Sequence, residues 1–290
     1  MRIAIGIATR GRAPILLETL TELDRQTRRA DRILVSYATA DDVAGVAGRF
    51  PGVEFLTGAS GLPAQRNRIL EAVADCDAIV FFDDDFLPAP EWLAVLEAVL
   101  QAQPGCAVAT GVVLADGAKG PGIEPAAARA ILAAAPPAPD ALATAPAFNA
   151  YGCNMALRLA PLRAHGIRFD EALPLYAWYE DIDLSRRLLP HGSILRLLAA
   201  RGVHLGTKKG RVPGVRLGYS QVANPLYLAR KGSFPWSHAL PSAGRHCLIN
   251  AVKSLRPEPE VDRRGRLRGN LLALADLLRG RMRPDRVLDL

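Results

Sequence analysis

The sequence predicts an α/β fold, a parallel sheet flanked by helices. Ala78-Ile79-Val80-Phe81-Phe82 is an apolar run too short for a helix. It is closed by Asp83-Asp84-Asp85 and then Pro88, so it reads as a buried strand. Over the first 113 residues, short runs of this kind alternate with segments of helical spacing, the pattern of a sheet covered by helices on both faces. Half of the 290 residues are hydrophobic, which provides a sizeable core.

Taken in order, residues 3–8 read as a first buried strand, and Thr9-Arg10-Gly11-Arg12 as the loop that leaves it. Ile15, Leu16, Thr19, Leu20 and Leu23 share one face of a helix over residues 14–27. Residues 32–37 and 53–56 give two more strands. The Gly-rich loop 58–63 leads into a helix over residues 64–74 and then the strand at 78–82. Trp92, Val95, Leu96 and Val99 mark a helix over 91–101, followed by a strand over 106–113. Residues 115–147 are rich in Ala, Gly and Pro and read as an excursion with one short helix. A strand and turn surround Gly152-Cys153-Asn154. A helix with acids in its first turn, favoured by the helix dipole, covers 180–189. A strand over 193–198 follows, with His204 in the next loop. Helices are expected over 219–230 and 243–255. Leu267, Leu271, Leu274 and Leu278 form the apolar stripe of a last helix, expected to dock by its leucines and leave its arginines wet.

No apolar run reaches the roughly 18 residues of a membrane span. The N-terminal stretch passes directly into a strand without a signal-peptide cleavage site, which leads us to expect a cytoplasmic protein. Cys76, Cys106, Cys153 and Cys247 form no CxxC pair and are expected to be reduced thiols rather than structural zinc ligands. The net charge is +7. Arg201, Lys208, Lys209, Arg211 and Arg216 form one basic cluster, and residues 253–286 hold another. Such clusters suit phosphate groups, nucleic acid or an anionic membrane surface.

In open α/β sheets ligands bind beyond the carboxyl ends of the strands. Thr9-Arg10, the Gly61 loop with Arg66 and Asn67, and Asp83 to Asp85 all follow strands that end at that edge, and Glu180-Asp181 is expected at the same rim. Three adjacent carboxylates repel unless a cation sits among them, and carboxylate oxygens suit magnesium, manganese or calcium. Cations, backbone donors and acids in one place suit a metal-bound diphosphate.

At these residues the chain resembles a family 2 glycosyltransferase, of the nucleotide-sugar-dependent inverting class, and the resemblance implies the GT-A fold, α/β with a Rossmann-type mixed, mainly parallel sheet flanked by helices. The similarity rests on Ala8-Thr9-Arg10-Gly11-Arg12, Gly61-Leu62-Pro63-Ala64-Gln65-Arg66-Asn67, Phe82-Asp83-Asp84-Asp85 and Gly152-Cys153-Asn154-Met155-Ala156. It continues through Phe169-Asp170-Glu171, Tyr179-Glu180-Asp181-Ile182-Asp183-Leu184 and His204-Leu205-Gly206. It covers roughly residues 1–245. Each motif alone is weak, and their order and spacing carry the likeness.

The resemblance implies that Thr9, Arg10 and Arg12 lie against the nucleotide, with Arg66 and Asn67 holding it and Asp83 and Asp84 at the ribose or donor sugar. Asp85 would bind Mg²⁺ or Mn²⁺, and His204 would be a further metal ligand or a phosphate contact. Asp181 would be the general base, with Glu180 next in line. Asn154, Trp178 and Tyr179 would meet the acceptor. The family often carries an acid after its second strand to bind the base. Here Val35-Ser36-Tyr37-Ala38-Thr39 holds none before Asp41, which leaves the base unassigned.

The resemblance further implies a GT-A domain over 1–245, with 1–113 as nucleotide half and 148–245 as acceptor half, and a C-terminal helical extension over 246–290. The expected partners are a nucleotide-diphosphate sugar and a saccharide or lipid-linked acceptor, as in bacterial cell-surface polysaccharide or glycoconjugate synthesis. No nucleic acid is expected. The basic C-terminal helix is a candidate for peripheral contact with the inner face of the membrane. Two other readings compete. A haloacid-dehalogenase-like phosphatase also uses D-x-D after an apolar strand, but there Thr or Val closely follows the second Asp, and here Phe86-Leu87-Pro88 follow. A basic nucleic-acid-binding protein would fit the charge, yet aromatics are 6% and no reading motif is present.

Overall fold

A computed structural model describes residues 1–208, 213–256, 258–259 and 261–290. Lys209 and Arg211 of the first basic cluster lie outside the described residues. The elements run β1 (Ile3–Ala8), α1 (Ala13–Leu23), β2 (Arg32–Tyr37), β3 (Val53–Thr57), α2 (Leu62–Ala72), β4 (Ala78–Asp83), β5 (Phe86–Pro88), α3 (Trp92–Ala102) and β6 (Cys106–Asp116). They continue through α4 (Pro125–Ala133), β7 (Thr144–Pro146), β8 (Asn154–Arg158), α5 (Leu159–Ala164), α6 (Glu180–Leu188), β9 (Ser193–His204), α7 (Gly214–Lys231), α8 (Trp236–Ser254) and α9 (Arg263–Leu278). The chain divides into one unit of residues 1–60, 64–168 and 187–210, and a second of residues 61–63, 169–186 and 211–290.

The first unit is built on a sheet of order β3-β2-β1-β4-β8-β6-β9-β5, with β7 added to β9. β1 lies between β2 and β4, parallel to both, and Ala8 pairs with Ser36 and Asp83 at the carboxyl edge. β8 runs antiparallel to β4, so Asn154 sits beside Phe82 at the same edge. The apolar runs in β1 and β4 are buried because helices cover both faces. Phe82 stacks on Phe86 at 5.3 Å and meets Trp92 edge-on at 4.9 Å, and all three are essentially inaccessible. Each contributes on the order of 1.5–3 kcal/mol by leaving water. The four cysteines are free, three of them buried.

Among the described residues β5, β7 and the end of β9 escape the sequence patterns, β7 lying within the 115–147 segment read as an excursion. β5 has only three residues, too few to show a period. It runs antiparallel to β9 and sets Phe86 opposite His204. Gly202 of β9 makes this possible, because a Cβ there would stand 2.2 Å from the Phe86 ring. β9 itself continues six residues beyond the expected 193–198 segment, so His204 is the last residue of a strand rather than part of a loop. Its small residues Ala199, Ala200 and Gly202 hide that continuation, and register shifts interrupt its pairing with β6.

In the second unit, α7, α8 and α9 pack on one another. Most of the leucine stripe of α9 does not dock: Leu267 is half-buried, and Leu271, Leu274 and Leu278 are exposed. Leu271 and Leu278 are 58% and 90% exposed, and the buried face consists of Gly269, Asn270, Ala273 and Asp276. Gly218 and Gly269 let the backbones of α7 and α9 approach so closely that a Cβ on Gly269 would lie 2.1 Å from the Val215 carbonyl oxygen. Asn250 Nδ2 donates to Gln221 Oε1 and Asn270 Oδ1, both at 2.9 Å, tying the three helices through amides.

Candidate active site

The turn between β4 and β5 carries the three aspartates, and each meets a different environment. Asp84 is fully buried. It accepts from Thr9 Oγ1 at 2.7 Å and pairs with Arg12 at 2.9 Å. Burial pushes its carboxyl up to about 7 against the pull of Arg12, with Asp85 adding to the push. Asp83 lies at the edge, 3.1 Å from Arg66 Nη2, and that nitrogen also donates to the Gly152 carbonyl at 2.8 Å. Arg66 is a buried guanidinium over the Phe81 ring, and Asn67 beside it in α2 is also buried. Arg10 is exposed in the loop after β1, and among the described residues no hydrogen bond or ion pair holds it to the acids.

Asp85 faces His204. Its Oδ1 is 3.4 Å from His204 Nε2, while Oδ2 accepts from Thr207 N–H at 2.9 Å and lies 3.4 Å from Arg12. Burial alone would raise the Asp85 carboxyl, but the imidazole, Arg12 and the Thr207 amide hold it well below the usual carboxylate range. Burial would likewise lower His204, yet Asp116 and Asp85 raise it to about 10. Gly206, at φ +65°, turns the chain after β9 so that Thr207 can return its amide to Asp85.

Asp83, Asp85 and His204 each offer a ligand atom, all within 4.8 Å of one another. Two carboxylate oxygens and an imidazole nitrogen that gives up its proton to the arriving cation suit Mn²⁺ or Mg²⁺. The second layer fits as well: His204 Nδ1 is 2.9 Å from Asp116 Oδ1, an arrangement that fixes the ring and aims Nε2 at the acids. Tyr151 Oη in turn donates to Asp116 Oδ2 at 3.1 Å. The donor set therefore fits a divalent cation.

Asp116 and Asp42 were not found by reading the sequence. Asp116 reaches His204 only because β6 and β9 pair at those residues, and no local motif announces it. Asp42 accepts from Gly11 N–H at 2.7 Å and from Ala38 and Thr39 N–H at 3.0 and 2.8 Å, fixing the loop after β1 to the end of β2. Burial would raise it, but these amides hold it below the ordinary range. The segment after β2, which offered no acid by position, thus uses one for architecture.

Asn154 is buried in β8, and its Oδ1 accepts from Thr110 Oγ1 and Gly111 N–H, both at 2.7 Å. Its side-chain oxygen is committed to joining β8 and β6.

The remaining candidates belong to the second unit. Glu180 and Asp181 open α6, where the dipole favours an ionised acid. Glu180 is buried and Asp181 half-buried, with its Oδ1 accepting from Ile182 N–H at 2.8 Å. Leu175, Ala177 and Tyr179 just before them all have positive φ, at 59°, 50° and 75°. Three such non-glycine residues in so short a segment store strain on the order of 1–3 kcal/mol each, and strain of this kind gathers at functional sites. Lys231 anchors the segment, donating to Asp170 at 2.6 Å and Asp183 at 2.8 Å. Trp178 lies 5.2 Å from Tyr179 and edge-on to His246 at 5.5 Å, and Tyr179 Oη shares a 2.7 Å hydrogen bond with Ser242.

A family model described as Glycosyl transferase family 2 matches residues 4–162. No curated protein matches the chain. Among solved structures, S. aureus TarS 1–349 in complex with UDP-GlcNAc aligns with a TM-score of 0.58 at 15% identity, covering 99% of this chain and 83% of that one. Against the longer TarS structure this chain spans 46% of that protein's length. The mannosyltransferase PcManGT from Pyrobaculum calidifontis, solved with GDP-Man and Mn²⁺, gives 0.53 at 17% identity over 96% and 80% of the two chains. Glucosyl-3-phosphoglycerate synthase from Mycobacterium tuberculosis, solved with Mn²⁺ and UDP, gives 0.53 at 16% identity over 81% of each. At such identities the likeness is one of fold, and it is the GT-A fold that the sequence resemblance implied.

Proposed function

The chain belongs to glycosyl transferase family 2, and we propose that it transfers a sugar, with inversion, from a nucleoside-diphosphate donor to a hydroxyl of a saccharide or lipid-linked acceptor. The observation that carries this reading is the convergence of Asp83, Asp85 and His204 within ligand distance of one another, flanked by Arg12 and Arg66. The Mn²⁺ found with UDP or GDP-Man in two structures of the same fold supports it.

Asp83, Asp85 and His204 would hold Mg²⁺ or Mn²⁺, which when bound would supply Lewis-acid neutralisation of the charge on the diphosphate leaving group. Arg12 and Arg66 add fixed positive charge beside them. Thr9, Arg10 and Asn67 contact the nucleotide. Asp84 acts from within, holding Thr9 and Arg12 in place. Asp181, or Glu180 next to it, takes the proton of the acceptor hydroxyl as its oxygen bonds to the anomeric carbon. The bond from that carbon to the diphosphate oxygen breaks, and the nucleoside diphosphate leaves. Such general-base help is worth ~10²–10⁴ in rate. Trp178 and Tyr179 offer the acceptor aromatic faces, and Asn154 contributes by holding β8 in position.

In this reading residues 1–113 serve the nucleotide and 148–245 the acceptor, with 246–290 as a helical extension. The acceptor belongs to cell-surface polysaccharide or glycoconjugate synthesis, met on the cytoplasmic side at a membrane surface. Among the described residues no helix is long and apolar enough to cross a membrane, so such a contact would be peripheral.

The test is turnover of UDP-, GDP-, dTDP- and CDP-sugars with Mn²⁺ and a panel of saccharide acceptors, scored by nucleoside-diphosphate release and by the anomeric configuration of the product in NMR. One donor class consumed with inversion supports the reading. Retention of configuration, or no consumption of any donor by folded protein, contradicts it.

A further inference from the structure

The second unit turns the usual amphipathic arrangement of two helices outward. On α8, Leu240, Gly244, Leu248, Ala251 and Val252 recur at helical spacing, the C-cap Leu255 continues the series, and all are exposed; Leu248 is 66% and Leu255 82% exposed. The inward face of α8 is Ala239, Ala243 and Asn250. α9 repeats the pattern, with Leu271, Leu274 and Leu278 outward and small or polar residues inward. α9 packs on α7 through glycine contacts and the partly buried Leu272 and Leu277, and α8 through Cys247 and amide hydrogen bonds, so the exposed leucines of both helices stand outside that packing. An exposed apolar face of this kind marks a binding surface.

Charge identifies what would cover it. Between residues 236 and 256 the sequence holds no Asp or Glu. In α9 the lone acid, Asp276, is buried, accepting from Tyr219 Oη at 3.1 Å and Arg281 Nε at 2.8 Å. The exposed cations of the two helices are Arg245, Lys253, Arg264 and Arg268, and Arg256 and Arg279 follow just beyond their C-terminal ends. Leucines flanked by arginines suit the boundary of an anionic bilayer, where the apolar stripe enters the acyl region and the guanidinium groups meet phosphates. A second copy of the chain would set the same cations against one another.

We propose that the outward face of α8 and α9 docks on anionic phospholipid, the helices lying in the plane of the membrane. This names the surface for the peripheral contact in the transfer reading and rests on that reading only there. Its test uses neither donor nor acceptor, so its failure leaves transfer itself standing.

The full chain is sedimented with vesicles of phosphatidylcholine alone and with vesicles containing about one-third phosphatidylglycerol, a mixture whose negative surface attracts basic segments. Binding on the order of tenfold tighter to the anionic vesicles is expected, weakening in high salt. The double substitution Leu248→Glu/Leu271→Glu should abolish it, and Arg264→Gln/Arg268→Gln should weaken it several-fold. All four positions lie at or near the surface, and circular dichroism checks that the variants fold. Equal binding to both vesicle types, no binding, or binding that survives both double substitutions overturns the proposal. So does a dimer in solution that the leucine substitutions dissociate while vesicles capture neither form.

Discussion

Asp116 Oδ1 and His204 Nδ1 stand 2.9 Å apart, joined by the parallel pairing of β6 and β9 although 88 residues separate them. The contact fixes the imidazole so that Nε2 faces Asp85. An outer partner of this kind orients the ligand and raises its basicity. Asp116→Asn should therefore weaken Mn²⁺ affinity by about 10–100-fold while leaving the fold intact. Titration of Mn²⁺ followed by electron paramagnetic resonance reads this directly. Wild-type affinity in the variant would separate Asp116 from the metal site.

Gly202 lets the Phe86 ring lie against β9, and through it sets where Asp85 sits. Gly202→Ala should cost about 1–3 kcal/mol, as overpacking of a filled core does. Denaturant unfolding measures the loss. Because the ring must shift, Mn²⁺ affinity should fall as well, and stability lost with unchanged affinity would place Phe86 in packing alone.

Asp181→Asn should keep donor binding and lose transfer by ~10²–10⁴, the size of general-base help. Calorimetric donor affinity and initial rates test both halves. Wild-type turnover in this variant would move the base to Glu180, where Glu180→Gln repeats the comparison.

His246 gives a pH signature for the second unit. Burial, with the charges of Arg245, Arg266 and Arg263, presses its imidazole down to about 4. The unfolded chain takes up that proton near pH 6.5, so the folded state loses stability as pH falls from there and stops losing it below about 4. His246→Gln removes this pH dependence. The wild-type melting temperature should drop more steeply than that of the variant between pH 6.5 and 4, and parallel curves would contradict the assignment.

What the sequence made legible follows the strength of each local signal. β1 and β4 are apolar runs buried on both faces, and the acids after β4 mark the functional edge without any fold in hand. β5 is too short to show a period, and the end of β9 is masked by alanines and a glycine, so His204 read as a loop residue. Asp116 and Asp42 work through pairings distant in sequence or through backbone amides, and neither leaves a pattern in side-chain type. The leucines of α9 misled for a different reason. Periodicity shows that a helix has an apolar stripe but not which way it faces, and close glycine contacts with α7 settle the inward face in favour of small residues.

In the proposed reaction Asp83, Asp85 and His204 gather a divalent cation for a nucleoside diphosphate. Calorimetric titration of the protein with UDP, GDP, dTDP and CDP, each with Mn²⁺ and with EDTA, tests it most directly. One nucleotide class should bind with Mn²⁺, and EDTA or Asp85→Ala should abolish the binding. Nucleotide binding of equal strength in EDTA and in Asp85→Ala, or none at all by folded wild-type protein, would contradict it.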